Sequence, residues 1–239
     1  MSLAAEKSES VKRMFGDIAP RYDLLNHLLS LNIDKLWRRN AVRELLRDRA
    51  SGTGRYLDAC AGTLDLSVAL ATSRGFMGDV VASDFALPML LHGRGKARGK
   101  PITVACADAL RLPFADATFD GAMVAFGVRN LADLDAGLRE LRRVLRSDGR
   151  LVVLEFSTPA WQPFRALYLW YFQHVLPFVG RVLSRHQSAY EYLPASVLAF
   201  PAPDALAARL RSAGFGSVSW QLLTGGIAAV HVADVQHEG

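Results

Sequence analysis

Apolar residues gather in five short blocks between residues 55 and 157: Arg55–Cys60, Gly78–Asp84, Pro101–Asp108, Thr118–Val128 and Arg150–Ser157. Near-continuous apolar runs of this length read as strands buried on both faces. Between them the pattern lengthens to a helical period, from about Thr63 to Arg74, again after Asp84, and from Ala132 to Gly149. In the last of these Leu134, Leu138, Leu141 and Leu145 share a face, Asp133 is placed to cap and Gly149 to stop the helix. Strands alternating with helices predict right-handed βαβ units and a parallel sheet. Two final strands, Gly216–Leu223 and Gly225–Val235, meet through Thr224-Gly225-Gly226, so the last strand is expected to run antiparallel.

The flanks differ. Residues 1 to 50 read as a helical lid. A first helix capped by Ser8 or Ser10 runs through Phe15 and is closed off by Pro20. A second repeats apolar residues at Leu36, Trp37, Val42, Leu45 and Leu46, with Asp34 as a candidate N-cap. Residues 51–239 form the main domain. Within it, residues 159–200 are dense in aromatics, contain Pro163 and Pro177, and read as a helical insertion after the fifth strand. A regular helix, Pro203–Phe215, follows.

Open α/β sheets bind ligands at the carboxyl ends of their strands. The first strand ends at Asp58-Ala59-Cys60 and turns through Ala61-Gly62-Thr63 into a helix. The second ends in Asp84, placed to accept from ribose hydroxyls, and the third in Asp108-Ala109, placed to accept from an adenine amino group. A helix N-cap is the competing role for each carboxylate. The turn lacks the glycines a pyrophosphate demands. A nucleoside cofactor without phosphates relaxes that demand, and S-adenosylmethionine is one, with Asp58 near its ammonium and Gly62 and Thr63 near its methionine portion.

Composition adds bounds. Of 239 residues, 51% are hydrophobic, enough for a large core, and the formal net charge is +5. Much of the surplus is Arg on predicted helices, for which solvated faces are the plain reading and an anionic lipid surface or nucleic acid the alternatives. Two cysteines, Cys60 and Cys106, lie in apolar runs without metal-ligand spacing and are expected to be buried, reduced thiols. The N-terminus has no signal-peptide core, and no apolar run reaches the ~18 residues of a membrane span.

Two stretches make the reading specific. Tyr22–Trp37 closely resembles the N-terminal signature of the ubiquinone/menaquinone biosynthesis C-methyltransferase family, and Arg143–Ser157 resembles its second signature. Phe126–Asn130 and Ala109–Asp120 look like family blocks too. Asp34 stands where the first signature usually has His, and Leu64 where the loop usually has a small residue.

The resemblance implies an α/β, class I methyltransferase fold: a Rossmann-like seven-stranded sheet with an antiparallel last strand and helices on both faces. It implies S-adenosylmethionine as cofactor, held by Asp58, Gly62, Thr63, Asp84, Asp108, Ala109 and Ala125, and no metal. The implied reaction is C-methylation of a reduced polyprenyl quinone precursor, demethylmenaquinol to menaquinol. A methoxy-benzoquinol of the ubiquinone pathway, or a non-catalytic scaffold role, is the alternative. Arg129, Asn130 and Tyr22 are the candidate catalytic residues. Arg129 has a competing structural role, pairing with Asp133 or Asp135, and Tyr22 one as a packed aromatic. The apolar substrate implies a cytoplasmic protein held peripherally at the inner face of the membrane, with Trp161, Arg165, Tyr168, Trp170, Tyr171 and Arg181 as the contact. No nucleic-acid partner is expected, and a homodimer is an open option.

Overall fold

The computed structural model describes residues 3–48, 52–175 and 187–236. Seven strands form one sheet in the order β3-β2-β1-β4-β5-β7-β6. They are β1 (Arg55–Ala59), β2 (Asp79–Asp84), β3 (Ile102–Cys106), β4 (Phe119–Ala125), β5 (Leu145–Phe156), β6 (Ser217–Leu223) and β7 (Ala228–Asp234). β1 to β5 are parallel, and β7 lies between β5 and β6, antiparallel to both. The hairpin at Thr224–Gly226 therefore does what its glycines predict.

Alternate residues of the central strands supply two cores, because successive side chains leave opposite faces of a strand. Leu57, Val81 and Val153 pack beneath α5 (Leu134–Val144) and the later helix Pro203–Ser212. Tyr56, Val80 and Val152 pack beneath α2 (Ile33–Leu46) and α3 (Asp65–Ala71). Two further helices, α4 (Leu87–Gly93) and α6 (Gln162–Trp170), follow β2 and β5, and α7 (Gln187–Ala199) completes the described part of the insertion. Residues 176–186, which include Pro177 and Arg181, lie outside the described residues.

Several local expectations are corrected. Helix α1 runs unbroken from Leu3 to Leu29 through Pro20. Val11, Ile18 and Ala19 are buried on its inner side, so tertiary packing outweighs the hydrogen bond that proline removes. Asp34 is no cap: the residue before α2 is Asn32, left-handed at φ +62°, and Asp34 is buried within the first turn. Helix α5 stops at Val144, not Gly149. The N–H groups of Ala117 and Thr118 take up the carbonyls of Arg143 and Val144, and Leu145 leaves to pair with Phe119. Asp133 does cap α5, accepting from the Ala136 N–H at 2.9 Å. Both cysteines are free, but Cys106 is exposed because β3 is an edge strand.

Candidate cofactor and acceptor cavities

Strand order reverses between β1 and β4, and the loops leaving their carboxyl ends diverge there. Cys60 (φ +58°), Gly62 (φ +53°) and Leu64 (φ +72°) are all left-handed, so the loop after β1 is a tight coil. Asp84 at the end of β2 braces it. One carboxylate oxygen accepts from the Gly62 N–H at 2.9 Å and the other from the Ala86 N–H at 2.8 Å. Burial raises the pKa of Asp84 above its ordinary value, against the pull of these backbone donors.

A cavity opens over this loop. Gly62, Asp84, Asp108, Ala109 and Ala125 line it, together with Phe85 and Met89. Asn130 lines it from the turn after β4. Asp58 and Thr63 stand behind the wall rather than on it. Asp58 is 1% exposed and accepts from the Ser67 hydroxyl, and burial pushes its carboxyl up to about 7. The hydroxyl of buried Thr63 is spent on Asp23 of α1.

A second cavity adjoins the first. Phe15, Tyr22 and Phe126 line both, so they form the partition between them. Its walls mix apolar residues (Met14, Ile18, Phe156, Leu193) with Asn26, Asp34, Arg38, Arg129 and Tyr192. Burial raises the pKa of the Tyr22 hydroxyl, with the nearby cations Arg129 and Arg38 opposing.

Arg129 takes neither carboxylate expected of it. Asp133 is the α5 cap, and Asp135 pairs with Arg209 at 2.7 Å. Arg129 instead pairs with Glu155 at the end of β5, Nη1 to Oε1 2.7 Å, over the ring of Phe156. Asn130 accepts from the Tyr192 hydroxyl of α7 at 2.9 Å, which ties the insertion to the β4 turn.

A polar network fastens α1 and α2 over the cofactor loop. Lys96 bridges Asp23 and Asp65, both at 2.6 Å, and His27 reaches Asp34 at 2.8 Å. Burial pushes Asp34 up, but the Ser30 bond, Arg38 and His27 outweigh it and leave the carboxyl below its usual range. His27 is thus a strut between α1 and α2. His174 bonds the Trp170 carbonyl at 3.0 Å and stacks on its ring, away from both cavities.

Sequence reasoning passed over Glu155, Tyr192, Asp23 and Phe126. Glu155 carried a signal, a lone charge in the apolar run Leu151–Phe156. Tyr192 carried none.

The cavity fits a nucleoside cofactor without phosphates: a left-handed loop backbone, two carboxylates at successive strand ends, and apolar walls between them. No described helix is long and apolar enough to cross a membrane. The chain is 52% identical over 223 residues to the demethylmenaquinone methyltransferase of Thermus thermophilus, covering 92% of this chain and 99% of that protein. It is 44% identical over 236 residues to the ubiquinone/menaquinone biosynthesis C-methyltransferase UbiE of Citrifermentans bemidjiense, covering 97% and 99%. Its fold matches a solved SAM-dependent methyltransferase from Thermotoga maritima at a TM-score of 0.68 and 18% identity, over 94% of this chain and 99% of that one. The model of the ubiE/COQ5 methyltransferase family matches residues 3–234. With the fold, the cofactor cavity and this match in agreement, the chain belongs to the ubiE/COQ5 methyltransferase family and takes S-adenosylmethionine as its cofactor.

Proposed function

We propose that the protein methylates a ring carbon of demethylmenaquinol, giving menaquinol. The observation that carries this is the pair of cavities meeting at Tyr22 and Phe126, one suited to the nucleoside and the other to an aromatic acceptor beside a guanidinium. Gly62, Asp84, Asp108, Ala109 and Ala125 would hold the cofactor directly, with Asp58 and Thr63 setting the loop from behind. Bound S-adenosylmethionine supplies an activated methyl group.

The protein's task is then to make the acceptor carbon electron-rich and to hold it in line. A hydroxyl next to that carbon loses its proton to water, and its electrons push into the ring. Arg129 faces the growing oxyanion, and Tyr22 holds it from the lid. The ring carbon would take the methyl that bound S-adenosylmethionine supplies, with Gly62, Asp84 and Asp108 holding the donor in place. The ring proton then leaves and the oxygen regains one, so one proton is released overall. Asn130, fixed by Tyr192, keeps the β4 turn in place between the two cavities.

Met14, Ile18 and Leu193 give the second cavity an apolar side for the start of a prenyl tail. Trp161 (70% exposed), Leu167 (59%) and Trp170 (54%) stand out on and beside α6, with Arg165 nearby. Such a surface suits peripheral contact with the cytoplasmic membrane face, where the tail resides. Tyr168 does not belong to it, being buried against Phe172.

The test is methyl transfer from labelled S-adenosylmethionine to chemically reduced demethylmenaquinol and to the methoxy-benzoquinol, with cofactor binding by calorimetry. Product from the naphthoquinol supports the proposal, and product from the benzoquinol alone moves the enzyme to the other pathway. Cofactor binding with neither product refutes both acceptors. No binding at all favours the scaffold role. Flotation with anionic liposomes at low salt tests the surface, and a protein that stays in the soluble fraction refutes it.

A further inference from the structure

Glu155 belongs to no catalytic list drawn from the sequence, yet it controls the residue that matters at the acceptor wall. Strand register brings the two together. Ala125 pairs with Leu154, so Glu155 emerges beside Phe126 at the sheet's end. Phe126 is left-handed at φ +58°, which turns the chain so that Arg129 folds back. Arg129 Nη1 then donates to Glu155 Oε1 and to the Phe126 carbonyl. Glu155 Oε1 also accepts from the Phe156 N–H at 2.9 Å, and Oε2 from the Arg129 N–H at 3.4 Å. The two side chains are 6% and 2% exposed.

A buried ion pair adds little stability over a well-packed apolar pair, so this one is poor value as structure alone. Two donors beside it are unspent. Arg129 Nε–H and the Tyr168 hydroxyl are buried without a protein partner among the described residues. Burial raises the Tyr168 pKa, so its hydroxyl remains a donor. The guanidinium is held through Nη1, and Arg129 lines the second cavity.

We propose that Glu155 is a positioning residue for methyl transfer: it fixes Arg129 at the acceptor's hydroxyl oxygen and withholds part of its positive charge. It thereby sets how readily that hydroxyl ionises and how hard the oxyanion pushes. A fully uncompensated cation would ionise the acceptor easily but leave a weak nucleophile, and the best rate lies between. This rests on reading the second cavity as the acceptor site. The other titratable and charged groups facing it are Tyr22 on α1, Asp34 and Arg38 on α2 and Tyr192 on α7, while Tyr168 on α6 lies near Arg129 and Glu155 without lining the cavity. They are unchanged in the variants below.

The probe is 4-nitro-1-naphthol, coloured when ionised, titrated by absorbance when bound to the full chain. In Glu155→Gln the amide oxygen can still accept from Arg129, but the negative charge is gone. The bound naphthol should ionise about 1–2 pH units lower than in wild type. The acidic limb of methyl transfer to demethylmenaquinol should move the same way, its plateau falling about tenfold while KM changes little. Glu155→Asp keeps the charge and should restore the wild-type midpoint. If Glu155→Gln does not fold, the double variant Arg129→Gln with Glu155→Gln removes both charges and should raise the midpoint above wild type. An unmoved midpoint in a folded Glu155→Gln, whatever its stability, overturns the proposal, as does a wild type that binds no naphthol. A Glu155-dependent midpoint without turnover of either quinol would uphold this role while refuting the proposed acceptor.

Discussion

The hydroxyl of Thr63, in the loop after β1, donates to the carboxylate of Asp23 on α1. Forty residues of sequence separate them. The bond couples the loop after β1 to α1, and Lys96 reinforces it from the segment after α4. Thr63→Val keeps the shape and loses the donor. A bond to a charged group is worth about 1.5–3 kcal/mol. We expect cofactor affinity to fall by about tenfold, equivalent to ~1.4 kcal/mol, and α1 amides to exchange faster. Calorimetry and hydrogen exchange check both, and unchanged exchange in α1 would show the lid is held elsewhere.

Leu64 is fully buried among Ala61, Ala82 and Leu90, but its φ of +72° places it before α3 rather than in it. Packing is therefore what it contributes, and helix propensity is not. Truncating a buried Leu to Ala costs about 2–5 kcal/mol. Glycine removes one more carbon yet relieves a left-handed strain of about 1–2 kcal/mol. Leu64→Gly should thus be no less stable than Leu64→Ala in urea denaturation. A clearly weaker glycine variant would mean that the backbone is unstrained here.

Gly93 ends α4 against the cofactor loop, where an added Cβ would collide with the backbone of Thr63. In an open helix Gly→Ala gains about 1 kcal/mol. Here the collision should reverse the sign. Gly93→Ala should lower the melting temperature and weaken S-adenosylmethionine binding together. A stabilised variant with normal binding would place the loop farther from α4.

Burial raises the Asp58 carboxyl from 3.8 to about 7 in the folded protein. A folded-state value above the unfolded one favours folding below pH 4 and costs stability as pH rises towards 7. Asp58→Asn removes that cost while Ser67 keeps an acceptor. The stability of the cofactor-free variant relative to wild type should therefore grow by about 1.4 kcal/mol per pH unit across this window, then level off. Denaturation series at pH 5, 6, 7 and 8 measure it, and a flat difference would show that Asp58 is ionised throughout.

The sequence by itself determined the strands, the order of βαβ units and the carboxylate at the end of β2. These follow from local apolar runs and from where each run stops, and a buried parallel strand announces itself by having no polar face. The two long signatures were local as well. What tertiary structure decided was every partnership across the fold. Pro20 ends a helix by local rules, but Val11, Ile18 and Ala19 in the turns before it are buried and α1 continues through it. Asp34 suits a cap, but its helix begins elsewhere and Ser30, His27 and Arg38 converge on it. Arg129 has two acids within six residues, yet its partner is Glu155, because strand register sets β5 beside β4. The meeting of two cavities at Tyr22 and Phe126 is of the same kind: it joins a lid helix to a strand end, and no local pattern records which distant residues packing brings into one wall.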